Sequence, residues 1–363
     1  MNTETPTLPS SPKTTVASTV NVQARDLENW ATACLESVEM PSEEAQLIAR
    51  NLVQTSLWGI DSHGIARLPH YLNRITGGSI ATRPNITVKS TGPCTARIDG
   101  DHGHGIVICD RAMREASRMA LENGIGAVGV ENSSHCGAIG LYGRLAASQG
   151  LVGFAFTHSD AFVAPHGGNS KFLGTNPICI AVPTEDPERP VCLDMATSAV
   201  SWNKVMNARC EGRALGEGWA LDENGQPTTN AASVACLLPF AAHRGYALAF
   251  LIELLCGPLN GMPFGPHIPA MYGDMTEHRR LGSFMMAINP AHFGAGSSLA
   301  AIATQMANEA RNQPRAGDGE VIVPGDPEYR CQEKRGQEGI PVETGLQKEI
   351  SAWCEKLNLG KPF

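Results

Sequence analysis

Gly124-Ile125-Gly126-Ala127-Val128-Gly129 matches the G-x-G-x-x-G pattern by which parallel α/β folds seat a dinucleotide. The pattern works in one context: a strand precedes it and a helix starts within it, so that amides at the helix's positive end meet the pyrophosphate. Here the order is reversed. Residues 107–122 have helical periodicity and residues 127–130 read as a strand, so these glycines end a helix and open a strand. The stretch is a helix-to-strand turn, and the expected fold is α/β without a Rossmann domain.

Upstream, the pattern is helical. Leu27, Trp30, Ala31, Cys34 and Leu35 recur at helical spacing over 24–37. Pro41-Ser42-Glu43-Glu44 announces a second helix running to about residue 58, where Gly59 stops it. Arg67, Leu68, Tyr71, Leu72 and Ile75 predict a third, ending at Gly77-Gly78. These form a helical N-terminal lobe. Beyond Pro84 the texture changes to short runs divided by Gly and Pro, with strands expected at 86–89, 96–99, 151–155, 178–182, 191–193, 282–289 and 320–324. Alternation with few helices predicts a mostly antiparallel or mixed sheet whose polar loops line a pocket. Further helices are expected over 199–209 and 297–310, and two short ones flank Ile340-Pro341-Val342. The apolar run 246–256 predicts a buried helix, too short to span a membrane.

A chain of 363 residues suits two lobes with a cleft between them. The net charge of -8, with no basic run, argues against nucleic-acid binding. Eleven cysteines without a Cys-x-x-Cys pair indicate neither a zinc ribbon nor a disulfide framework, and favour a reducing cytoplasm. Residues 1–20, rich in Thr, Ser and Pro, lack a signal peptide's apolar core and are expected to be a disordered tail.

Three polar clusters carry candidate chemistry. Asp61-Ser62-His63-Gly64-Ile65-Ala66-Arg67 puts an acid, a hydroxyl, an imidazole and a guanidinium beside one helix start, where they can converge on a small anion. Capping explains the Asp or Ser but neither His63 nor Arg67. His135 follows a strand in Ser133-Ser134-His135-Cys136-Gly137, and can be structural or catalytic; Cys136 has no charge partner to activate it as a nucleophile. Asp194, at the end of an apolar strand, either caps a helix near Thr197 or orients a histidine. His102-x-His104 lacks a third ligand and reads as a surface loop, so no metal site is expected. A serine hydrolase is the rival from another class, since Ser62, His63 and Asp194 are all present. Adjacent Ser and His are not expected to face each other, however, and no G-x-S-x-G elbow frames a serine.

In order, Gly59 to Arg67, Ser134-His135-Cys136-Gly137-Ala138-Ile139, Gly174-Thr175-Asn176-Pro177, Leu193-Asp194-Met195-Ala196-Thr197, and Lys204 with Gly245-Tyr246 resemble the malate/L-lactate dehydrogenase type of NAD(P)-dependent oxidoreductase. The likeness covers about 20–342. Met262-Pro263-Phe264-Gly265, Met271-Tyr272 and Pro324-Gly325 draw it toward the ureidoglycolate dehydrogenase branch. The resemblance implies a helical substrate lobe from both chain ends (21–120 and 290–363), a nicotinamide-cofactor lobe over 121–289, and a homodimer with sites near the subunit boundary.

It implies His63 or His135 as proton donor and acceptor, and Arg67, helped by Ser62 and Tyr71, as the binder of the substrate carboxylate. NAD or NADP would contact Ser159, Asn176, Asp194, Met195, Ala196, Arg244, Gly245, Gly325, Asp326 and Glu328. The implied reaction moves a hydride to or from C2 of a small 2-hydroxy or 2-oxo acid of the ureidoglycolate, malate, lactate or sulfolactate type; reduction of a cyclic 2-imino acid is the alternative. Two departures stand out: Arg244 replaces the lysine of close relatives, and Cys136 their phenylalanine or serine.

Overall fold

The computed structural model describes residues 19–294 and 298–363. Most of the expected tail lies outside them, and its last residue, Val20, already belongs to a strand.

The chain begins with β1 (Val20–Val22), α1 (Ala24–Ser37), α2 (Ser42–Leu57) and α3 (Leu68–Thr76). All five periodic positions of α1 are buried, as the spacing requires. Then follow β2 (Thr87–Gly92), β3 (Thr95–Asp99), α4 (Gly105–Asn123), β4 (Ile125–Ser133), α5 (Gly140–Ala147), β5 (Val152–Thr157), β6 (Ile178–Val182) and β7 (Val191–Met195). Next come α6 (Trp202–Glu211), the short strands β8 (Ala220–Leu221), β9 (Pro227–Thr228) and β10 (Cys236–Leu237), and α7 (His243–Cys256). The last elements are β11 (Leu281–Ile288), α8 (Leu299–Arg311), α9 (Asp326–Glu338), β12 (Ile340–Val342) and α10 (Thr344–Leu357).

Seven strands form the main sheet in the order β2-β3-β4-β11-β5-β6-β7, antiparallel throughout except for the parallel pair β3 and β4. The topology gathers loops at one end. β4, β5 and β7 finish there, β6 and β11 start there, and so His135, Ser159, Asn176 and Asp194 come from four loops or strand ends on one edge. Inward-facing Val128, Val130, Ala155, Cys179 and Met285 pack against α4 and α5. The chain ends meet separately: β1 pairs with β12, and Leu27, Trp30 and Leu35 share a core with Ile350 and Trp353.

Gly124 ends α4 in the left-handed region at φ 89° and β4 opens at once, so the glycine-rich stretch is the helix-to-strand turn expected. A Cβ on Gly126 would lie 2.1 Å from the Ala116 carbonyl oxygen. That glycine lets helix and strand approach; it makes no phosphate loop.

Three expectations need correction, and one helix was not foreseen. The apolar helix near 246–256 is not buried all round: α7 buries Ala249, Ile252 and Cys256 but exposes Phe250, Leu251 and Leu254. Residues 320–324 are no strand, although the Pro324 carbonyl accepts a hydrogen bond from Cys192 N–H. The helices flanking Ile340 to Val342 are not short, at 13 and 14 residues. Helix α5 escaped the pattern search because Gly140, Gly143 and two adjacent alanines blur its periodicity.

Candidate active site

Asp61-Ser62-His63 and Ile65-Ala66-Arg67 form two single 3-10 turns between α2 and α3. A Cβ on Gly64 would lie 2.1 Å from Ser56 Oγ, so glycine lets the link pack against α2, while Ser56 Oγ accepts from Ile65 N–H. The capping alternative fails: α3 has no side-chain cap, and Asp61 instead pairs with Arg335 at 2.5 Å.

A cavity of about 270 Å³ receives His63, Arg67, His135, Asp194, Met195 and Ala196, together with Ser62, Ser159 and Glu328. The imidazoles of His63 and His135 stack with ring centres 5.4 Å apart. Hydroxyls orient both rings. Ser62 Oγ lies 2.8 Å from His63 Nδ1, and Tyr71 Oη lies 2.6 Å from His135 Nδ1. Gly137 N–H also donates to His135 Nδ1 at 3.3 Å, which places the neutral ring's proton on Nε2, the nitrogen left for the cavity.

Two expectations about these groups change. Neighbouring Ser62 and His63 do face each other, because the 3-10 turn brings their side chains together. Asp194 makes no hydrogen bond to either histidine; its Oδ2 accepts from Gly140 N–H at 2.9 Å, and α6 is capped by Ser201 instead. A serine-hydrolase triad therefore lacks its acid.

Arg67 is 8% exposed. Its Nε donates to the Ser62 carbonyl and its Nη1 to Tyr272 Oη at 2.8 Å, leaving Nη2 with no partner among the described residues. Tyr272 is fixed from below. Buried Arg74 donates to the carbonyls of Ala270 and Met271, and Asp160, paired with Arg279 at 2.6 Å, accepts from Met271 N–H. Tyr272, Trp202 and Asn203 line the cavity too, and the sequence reading assigned them no role. Met271-Tyr272 was visible only as part of a resemblance.

Burial, and then the charge of Arg67, pushes the His63 pKa down to about 3. Burial first, with His63 and Arg67 adding, holds His135 well below its ordinary value, so both rings are neutral near pH 7. Burial raises Tyr71, and lifts Asp194 to about 6 against the opposing effects of Gly140 N–H and Arg144.

The expected cofactor residues divide. Ser159, Asp194, Met195, Ala196 and Glu328 reach this cavity. Asn176 is buried behind it, donating to Glu253 at 2.5 Å and accepting from Ser159 N–H at 3.4 Å, so it shapes the loops. Asp326 lies in another cleft of about 450 Å³, paired with Arg311 at 2.7 Å, and Gly325 precedes it at φ 103°. Arg244 is exposed at the start of α7, and Gly245 is packed against the Phe240 carbonyl; neither lines the cavity of the histidines. His104 is no surface residue: it is buried, caps α4 through Nδ1, and meets the Tyr71 ring at 4.5 Å. No cluster of three or more metal-ligating side chains occurs among the described residues.

The family model for malate/L-lactate dehydrogenase matches residues 22–351. Ureidoglycolate dehydrogenase (NAD(+)) of Escherichia coli O157:H7 is 36% identical over 83% of this chain and 86% of its own length. Malate dehydrogenase of Pyrococcus abyssi is 34% identical over 94% and 96%. The solved sulfolactate dehydrogenase of Methanocaldococcus jannaschii superposes with a TM-score of 0.88 at 32% identity, covering 94% of this chain and 98% of that one. The chain belongs to the malate/L-lactate dehydrogenase family.

Proposed function

We propose that this protein is an NAD(P)-dependent dehydrogenase that interconverts a small 2-hydroxy acid and its 2-oxo acid. The observation that carries the reading is the convergence of a carboxylate binder, Arg67, and two buried neutral imidazoles on one cavity.

The residues present fit a dinucleotide. Glu328 presents a buried carboxylate oxygen without a partner among the described residues, and Asp194 faces the same space, so the wall offers acceptors for ribose hydroxyls. Ser159, Met195 and Ala196 complete that wall, and the cofactor, when held there, exchanges a hydride with C2 of the substrate.

Arg67 takes the substrate carboxylate through its free Nη2, with Tyr272 fixing the fork. His135 Nε2–H then reaches the C2 oxygen. Because Arg67 helps keep His135 neutral, a carboxylate bound beside it offsets that charge and favours the imidazolium that can release a proton to oxygen. Tyr71 accepts from Nδ1–H in that state and holds the ring.

The division of labour follows the packing. We assign the substrate side to α1 to α3 and the C-terminal elements, and the cofactor side to the main sheet, which includes β2 and β3 and has α4 packed on it. We assign a homodimer on the strength of the exposed apolar residues of α7. Eleven free thiols support the cytoplasm as its compartment.

The test mixes the protein with NADH or NADPH and a panel of 2-oxo acids, oxalurate and cyclic imino acids, following reduced-nicotinamide absorbance. Oxidation with a 2-oxo acid is expected. Oxidation with cyclic imino acids alone would replace the carbonyl reading, and inertness with every compound would end it.

A further inference from the structure

Arg144 on α5 is 7% exposed, yet forms no ion pair with a carboxylate within the described residues. Its guanidinium carbon lies 4.2 Å from the centre of the Trp58 ring and 5.5 Å from that of Tyr329, and Nε donates to Tyr329 Oη at 3.4 Å. Neither Nη1 nor Nη2 has a hydrogen-bond partner there. A buried guanidinium with two idle nitrogens is costly, so its retention calls for a function.

Gly140 points to that function. The position a Cβ would take there lies 2.5 Å from Asp194 Oδ2 and 2.8 Å from Arg144 Nη1. Guanidinium and carboxylate thus face each other across the glycine, too far for direct contact but at most about two hydrogen-bond lengths apart, a span that one water bridges. A side chain at residue 140 would fill it. On the cavity side, Asp194 is joined by Glu328, a second negative charge.

We propose that Arg144 is a positioning residue: from behind Gly140 it acts as the counter-ion of Asp194 and keeps that carboxylate aimed into the cavity as an acceptor for a nucleotide hydroxyl. Arg144 touches neither substrate nor cofactor. The other titratable groups near Asp194 are Glu328, Cys136, Cys179 and the two cavity histidines; of these only Glu328 is a carboxylate, and it opposes ionisation. Arg144 supplies the balancing positive charge from α5. The counter-ion half stands on this geometry alone, and the nucleotide half rests on the function proposed above.

The experiment follows the Asp194 carboxyl by NMR in protein labelled at aspartate 13Cγ, assigned with Asp194→Asn, in the ligand-free state. In Arg144→Met the titration midpoint should rise by about one pH unit, equivalent to tenfold in the ionisation constant. Arg144→Lys should restore it. Gly140→Ala, which wedges a methyl between the partners, should raise it similarly and decides the matter if Arg144→Met does not fold. NADH binding by Arg144→Met should weaken about twofold at pH 7, approach about a tenfold loss as pH falls below the wild-type midpoint, and recover at alkaline pH. An unchanged midpoint in folded Arg144→Met, or in Gly140→Ala where that variant decides, overturns the proposal, as does weakening of NADH binding that is equal at every pH. A raised midpoint in a protein that binds neither NADH nor NADPH supports the counter-ion and removes the functional reading instead.

Discussion

In the proposed mechanism Arg67 both selects the substrate and sets the state of the acid that serves it. Bound carboxylate removes part of the charge that, after burial and His63, depresses His135, so binding of a 2-oxo acid should be accompanied by proton uptake that grows as pH falls below the ordinary imidazole range. Calorimetric titration in buffers of different ionisation enthalpy measures this, and a proton count of zero would contradict the coupling. Arg67→Ala should raise KM about tenfold to a hundredfold with a smaller change in kcat, since a hydrogen-bonded charge contact is worth roughly 1.5 to 3 kcal/mol. Steady-state kinetics on the best 2-oxo acid distinguishes the two constants. These residues were legible because Ser62, His63 and Arg67 are packed into seven positions that no ordinary cap explains. Tyr272 and Arg144 were not: each acquires its role from a partner far away in sequence, Arg67 at one site and Asp194 at the other.

At the scale of elements, Gly126 decides how α4 meets β4. Gly126→Ala should destabilise the fold by about 1 to 3 kcal/mol, because the methyl group meets the Ala116 carbonyl and the backbone must shift. Chemical denaturation measures it; a neutral result would mean that helix and strand are free to separate. Helix α7 makes a different prediction. Leu251 is 58% exposed in an apolar face, so Leu251→Glu should shift the proposed dimer toward monomer in light scattering, with the monomer's secondary structure intact. Strand β6 was read to the residue as an apolar run after the polar turn at 174–177, and the order of helix before strand at Gly124 excluded a Rossmann fold. The exposed side of α7 was invisible, since its apolar residues surround the helix and its one acid, Glu253, lies on the buried side.

For the whole molecule, buried neutral histidines tie stability to pH. His63, His70 and His104 fall from 6.5 to about 3 on folding, chiefly through burial. A group whose folded pKa is depressed in this way contributes fully above about 6.5, and that contribution is lost as pH falls toward about 3. Asp194, raised from 3.8 to about 6, works with the opposite sign over its own window, as do Glu44 and Glu349, which burial also raises, but His102 and His135 add to the three imidazoles. Tm should therefore drop steadily below about pH 6.5, and His104→Asn should make that slope shallower; an unchanged slope would show that His104 is not among the groups that couple. The gathering of His135 and Asp194 is the global consequence of the strand order, which brings four loops to one edge of the sheet, and Arg67 joins them from the link between α2 and α3. A stopped-flow comparison of wild type and His135→Ala, oxidising NADH or NADPH at saturating 2-oxo acid, tests that gathering most directly. Wild type should oxidise the nucleotide, and the variant should be slower by about a hundredfold or more with KM little changed. A variant as fast as wild type, or a wild type inert toward every 2-oxo acid, would contradict it.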